Sequence, residues 1–96
     1  MDSTICVIED WNLTVVDGRM QLSGMVVDDG KRRFAYGDYI RTSQVIGIRE
    51  NIVRTMNSLY DLRGNGIITG DIQGGLKLDS VEAFIKKHLV GGVWNG

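Results

Sequence analysis

GDYIRTSQVIGIRENIVRTMNSLYDLR, residues Gly37–Arg63, is the stretch on which both the fold and the chemistry turn. From Tyr39 to Ile48 the residues alternate. Ile40, Thr42, Gln44, Ile46 and Ile48 fall on one side and Tyr39, Arg41, Ser43, Val45 and Gly47 on the other, the period of a strand. Such a strand delivers Arg41 and Ser43 to one surface. Residues Asn51–Leu62 admit two readings. At helical spacing Ile52, Val53, Met56, Leu59 and Tyr60 form a stripe, with Gly64 as a fitting C-terminal cap. As a strand, Ile52, Arg54, Met56, Ser58 and Tyr60 face one way and Val53, Thr55, Asn57 and Leu59 the other, a weaker segregation. Periodicity favours the helix and the flanking strands favour the strand. The stretch is dense in donors: Arg41, Thr42, Ser43, Arg54, Thr55, Asn57, Ser58 and Tyr60 suit phosphate, ribose and base edges better than proton transfer.

Upstream, Thr4–Glu9 is a β-branched run that Asp10 breaks, and Trp11–Val16 resumes with Trp11, Leu13 and Val15 on one side. Asp17-Gly18 is a hairpin turn leading into the apolar Arg19–Val27, and Asp28-Asp29-Gly30 makes the next turn. Lys31–Tyr36 reads as a short strand. Downstream, Gly64-Asn65-Gly66 is a loop, Ile67–Gly70 a short strand and Asp71–Gly75 a second reversal. Asp79-Ser80-Val81-Glu82 is a capping-box pattern, with Asp79 as N-cap, opening a helix with an apolar stripe of Val81, Phe84, Ile85 and Leu89 that ends at Gly91. The expected fold is one α+β domain over residues 1–96: an antiparallel β-sheet or small barrel of about five or six strands with one C-terminal helix.

Ninety-six residues at 43% hydrophobic and 24% charged allow one modest core. No apolar run approaches the roughly 20 residues of a membrane span, so no membrane partner is expected. The N-terminus has no secretory pattern, which points to the cytoplasm, the host cell's if the chain is phage-encoded. A single cysteine, Cys6, and a single histidine, His88, leave no basis for an internal disulfide or a metal cluster, so neither metal nor cofactor is expected. The net charge of −1 is unevenly spread. Residues 31–63 hold Lys31, Arg32, Arg33, Arg41, Arg49, Arg54 and Arg63 against Asp38, Glu50 and Asp61, a balance of +4; the remainder stands at −5. That distribution suits a small polyanion rather than long nucleic acid.

Catalytic readings are weak. Glu9-Asp10 and Asp28-Asp29 read as solvated turn carboxylates, and His88 as a surface histidine complementing the helix C-terminus. No catalytic residue and no enzymatic activity are expected. Tyr36, Tyr39 and Tyr60 stand among arginines, a composition able to stack a base beside its phosphate. Trp94, with little chain around it to bury it, favours a homo-oligomer.

The order Arg41-Thr42-Ser43, a branched spacer, Val53-Arg54-Thr55, Asn57-Ser58 and Tyr60-Asp61-Leu62 resembles the anti-Thoeris sponges, small phage anti-defence proteins, over roughly Leu22 to Leu62. Members of that family sequester cyclic ADP-ribose-type immune signals, and some take cyclic di- and trinucleotides, without cleaving them. The resemblance implies a β-rich core with a helix, a homo-oligomer (dimer or higher), and Arg41, Thr42, Ser43, Arg54, Asn57, Ser58 and Tyr60 as pocket residues. Met56 departs from it, standing where a polar or basic side chain would be more at home. On this reading Arg41 and Arg54 clamp phosphates of a cyclic nucleotide while Tyr39 or Tyr60 covers a base. Two rival readings stay open: an anti-CRISPR-type inhibitor whose basic face covers a host effector's surface, and a single-stranded nucleic-acid-binding barrel.

Overall fold

The computed structural model describes residues 5–89. It is α+β, with seven strands in one largely antiparallel sheet and a C-terminal helix. In order, the strands are β1 (Ile5–Val16), β2 (Arg19–Asp29), β3 (Tyr39–Arg49), β4 (Ile52–Thr55), β5 (Leu59–Leu62), β6 (Gly66–Gly70) and β7 (Gly74–Leu76). A 3₁₀ turn, Leu78–Ser80, leads into α1 (Val81–His88). No helix among the described residues is long and apolar enough to cross a membrane.

The long β1–β2 hairpin is the frame. Asp17 and Gly18 both take positive φ (53° and 76°), the two-residue turn whose twist matches the strands it joins, and it sets Val16 opposite Arg19. β1 is not broken at Asp10. The strand runs through a bulge in which Asp10 takes φ 50°, the ladder slipping between Glu9 and Asn12. The bulge inverts the alternation: Cys6 and Ile8 are buried before it and Trp11, Leu13 and Val15 after it. It also gives β1 two successive partners on its free edge. Ile5–Ile8 pairs in parallel with β5 and Asn12–Val15 in parallel with β6, with only Arg63–Asn65 between those two strands.

Because β2 pairs with β3, β3 with β4, β4 with β5 and β5 with β1, five strands form a ring around the core. Trp11, Met20, Leu22, Ile48, Val53 and Leu62 fill it, and α1 covers β3 with Val81 and Ile85. At roughly 25 cal/mol per Å² of apolar surface, this burial is the main stabilising term.

Residues 51–62 are neither one helix nor one strand. They form the β4–β5 hairpin, and Thr55 holds its turn: the Thr55 hydroxyl donates to the Ser58 carbonyl (3.2 Å) and accepts the Ser58 amide (3.2 Å). Met56, on the helical stripe of the sequence, is 66% exposed on that turn. Lys31–Tyr36 is not a strand but part of a loop over residues 30–38. The capping box does not form either. Ser80, not Asp79, is the N-cap and makes no side-chain cap bond, while the Glu82 carboxylate accepts the Glu50 amide at the β3–β4 turn (2.9 Å) and pairs with Lys86 (3.2 Å). The helix is capped at Leu89; Gly91 and Trp94 lie outside the described residues.

Candidate functional site

The Asp28-Asp29-Gly30 stretch is organised by a carboxylate rather than by solvent. A slip in the β1–β2 register at Val26–Asp28 reverses the parity of β2, so that Asp29, not Asp28, follows Met20, Leu22 and Val26 into the interior. Its side chain is fully buried. It accepts the backbone amides of Lys31 (3.2 Å), Arg33 (2.7 Å) and Phe34 (3.1 Å) and the Nε–H of Arg33 (3.2 Å). Burial alone would raise the Asp29 pKa; the Arg33 guanidinium and the Arg33 and Lys31 amides outweigh it and hold the carboxyl below its ordinary value. Burial likewise opposes the Arg33 charge, and Asp29 and the Tyr60 hydroxyl together keep that guanidinium above its usual pKa. Nearby Cys6, fully buried, is pushed up to about 11 by burial and then by the Asp29 charge, so it remains a thiol at neutral pH.

From this anchor the basic run spreads in two directions. Arg33 Nη1 donates to Ser58 Oγ (2.7 Å), and Lys31 Nζ reaches the Asn57 carbonyl (3.3 Å) and Ser58 Oγ (3.5 Å). The loop is thereby tied to the β4–β5 turn. Between them lies a bowl of about 250 Å³ lined by Lys31, Arg54, Thr55, Met56, Asn57, Ser58 and Leu59. Two cations, an amide and hydroxyls line it, and among the described residues no carboxylate does.

Three residues expected from the sequence, Arg54, Asn57 and Ser58, are thus brought together, joined by Lys31. The others are placed elsewhere. Arg41 pairs with Ser23 on β2 whereas Arg54 sits opposite Gly47, six residues further along β3, about 20 Å of strand at the usual rise. The strand register therefore sets the two residues of the expected clamp far apart along one chain. Tyr39 stays with Arg41, its hydroxyl 3.3 Å from Ser23 Oγ and its ring 64% exposed. Thr42 is buried and structural: its hydroxyl accepts the Leu22 amide (3.3 Å), which the β2–β3 bulge between Gln21 and Ser23 takes out of the ladder, and donates to the Ser43 carbonyl (2.7 Å). Ser43 Oγ is buried with no hydrogen-bond partner among the described residues. Tyr60 is 4% exposed in the core, so its ring offers no open face to a base.

Asp29 and Lys31 were missed. The sequence did carry one sign of them, since Asp-Gly-Lys is the pattern in which a carboxylate accepts the amide two residues on. Glu9 and Asp10 likewise sit in the β1 bulge rather than a turn. Among the described residues no group of three His, Cys, Asp or Glu side chains is arranged to hold a metal ion.

No curated protein and no solved structure matches the chain. A family model described as a domain of unknown function, DUF6957, matches residues 1–69, a span that contains β1 through β5, most of β6, the 30–38 loop and the bowl, and leaves out β7 and α1. Matched over more than two thirds of its length, the chain belongs to the DUF6957 family.

Proposed function

We propose that this protein is a non-enzymatic sponge that binds a small cyclic nucleotide and withholds it, gripping a phosphate in the bowl at the β4–β5 turn. The observation that carries the reading is the cationic lining: Lys31 and Arg54 converge there with Asn57 and Ser58, and no carboxylate is among the described residues that line it. Such a surface suits a tetrahedral oxyanion, and charge-assisted contacts of this kind are typically worth ~1.5–3 kcal/mol each. The phage anti-defence role, on cyclic ADP-ribose-type signals or cyclic di- and trinucleotides, follows from the resemblance in the Gly37–Arg63 stretch.

Calorimetric titration against a panel of cyclic nucleotides tests it. Lys31→Ala and Arg54→Ala should each weaken binding by about one to two decades, the equivalent of one such contact. Arg54→Lys should recover only part, since an ammonium keeps the charge but loses the fork. Arg41→Ala should have little effect. Bound nucleotide should be recovered intact on heating; hydrolysed product would make the protein an enzyme. Equal losses from Arg32, Arg41 and Arg54 would instead favour a broad basic face of the anti-CRISPR type.

A dimer or higher oligomer in the cytoplasm belongs to the same proposal. Light scattering at tens of micromolar should give at least twice the 10.7 kDa chain mass, and a monomeric mass would remove that part.

A further inference from the structure

Arg32, next after Lys31, lines a different and larger cleft of about 940 Å³, within the roughly 300–1,000 Å³ typical of ligand sites. Ile5, Val7 and Val27 give it an apolar wall, and Phe34 and Tyr36 of the 30–38 loop add two aromatic rings. Four features there bear on what it could hold. Tyr36 is 74% exposed, which leaves its ring open to a ligand. Arg32 takes φ 57° in the turn that its amide closes on the Asp29 carbonyl (2.9 Å), which leaves its side chain exposed beside the cleft. The Arg32 guanidinium has no side-chain partner among the described residues, while Arg63, also lining the cleft, donates to Asp61, a second carboxylate of the lining (3.4 Å). Asp28, exposed by the same register slip that buries Asp29, lines the cleft with no hydrogen bond or ion pair among the described residues.

These groups define a ligand by complementarity. Two guanidiniums ask for an anion and an exposed phenol ring for a flat π-face. A carboxylate, which only accepts, asks for a pair of adjacent N–H donors. Among nucleobases guanine offers that pair, N1–H beside the N2 amino group, whereas adenine sets a donor beside an acceptor. We propose that the cleft is a guanine nucleotide site, with phosphate on Arg32 and Arg63, the base stacked on Tyr36 and its Watson–Crick edge on Asp28. This deepens the nucleotide-binding reading but rests on residues that the bowl does not use.

The test is titration of the full chain with 5′-GMP, with 5′-AMP and inorganic phosphate as comparators. GMP should bind at least about tenfold more tightly than AMP. Arg32→Ala and Tyr36→Ala should each weaken GMP by about one decade, in line with losing one charged or one stacking contact. Asp28→Asn should abolish the preference for GMP while leaving AMP unchanged. Since Arg32, Tyr36 and Asp28 are exposed, unchanged thermal unfolding of the variants is expected and separates binding from folding. Equal affinity for GMP and AMP, no GMP binding at millimolar concentration, or tighter and steeply salt-dependent binding of an oligonucleotide would each overturn the proposal. If the Lys31 and Arg54 variants lose a cyclic nucleotide while the cleft variants do not respond to GMP, the sponge reading stands and this site falls. GMP binding lost in the cleft variants alone, with no cyclic nucleotide bound by the bowl, would do the reverse.

Discussion

Replacing Asp29 by alanine is expected to lower the unfolding free energy by at least about 1.5–3 kcal/mol, the usual worth of hydrogen bonds to a charged group, here a fully buried carboxylate whose ion-pair partner Arg33 is part-exposed. The loss is large because one carboxylate serves the Lys31, Arg33 and Phe34 amides and the Arg33 side chain together. For a domain of this size, with a total stability of about 5–15 kcal/mol, that is a substantial fraction. Asp29→Asn keeps the shape and one acceptor but loses the charge, so it should cost less. The pH dependence follows from the depressed pKa. A carboxyl whose folded pKa lies below its unfolded value of about 3.9 contributes its full stability above that pH and loses it as pH falls through the folded pKa. Wild-type urea unfolding should therefore weaken below about pH 4, and the Asn variant should lack that component. Because Lys31 and Arg32 both hang from the loop that Asp29 anchors, Asp29→Ala should also depress binding in bowl and cleft alike. Unfolding of Asp29→Ala within about 1 kcal/mol of wild type would remove the anchor.

The second large effect lies where the β5–β6 connection passes over Trp11. The indole is 1% exposed and its Nε1–H donates to the Gly64 carbonyl (2.9 Å). Two residues on, a Cβ at Gly66 would fall 2.3 Å from the indole ring and 2.5 Å from the Trp11 carbonyl oxygen. Trp11→Ala should cost about 3–5 kcal/mol through the cavity it leaves. Gly66→Ala should cost at least the ~1–3 kcal/mol of ordinary overpacking, because one of the atoms it meets is backbone and cannot turn aside. The double variant should fall short of the sum, since removing the indole opens part of the space that the new methyl needs; strict additivity in urea melts would contradict this packing.

The electrostatic half of the site was more legible than its geometry. The cationic middle third is visible by counting, and Arg54, Asn57 and Ser58 stand close enough in sequence for one turn to gather them. Arg41 looked equally close to Arg54. Once residues 51–62 double back as a hairpin, however, the strand register sets the two far apart along β3. The helical stripe in those residues misled for a related reason. A strand of four residues shows only two alternations, too few to outweigh a chance i, i+4 pattern, and apart from the pairing of β4 with β5 its hydrogen bonds come from β3 and β1, which the local sequence does not contain.

What the sequence determined by itself was whatever depends on near neighbours. The Asp17-Gly18 turn, the alternation of Trp11, Leu13 and Val15 and the apolar face of Val81 and Ile85 are local, and with them came the α+β class and the C-terminal helix. Only the tertiary structure decided which acid enters the core. In β2 the parity of every residue beyond Val26 hangs on a slip against β1, and one slipped residue exchanges Asp28 for Asp29 between solvent and interior. The same kind of competition dissolved the capping box, because Glu82 finds the Glu50 amide across the fold instead of its own helix. Alternation can be read along a single chain, whereas a bulge exists only between two strands, so the side chains it redirects are decided by pairing.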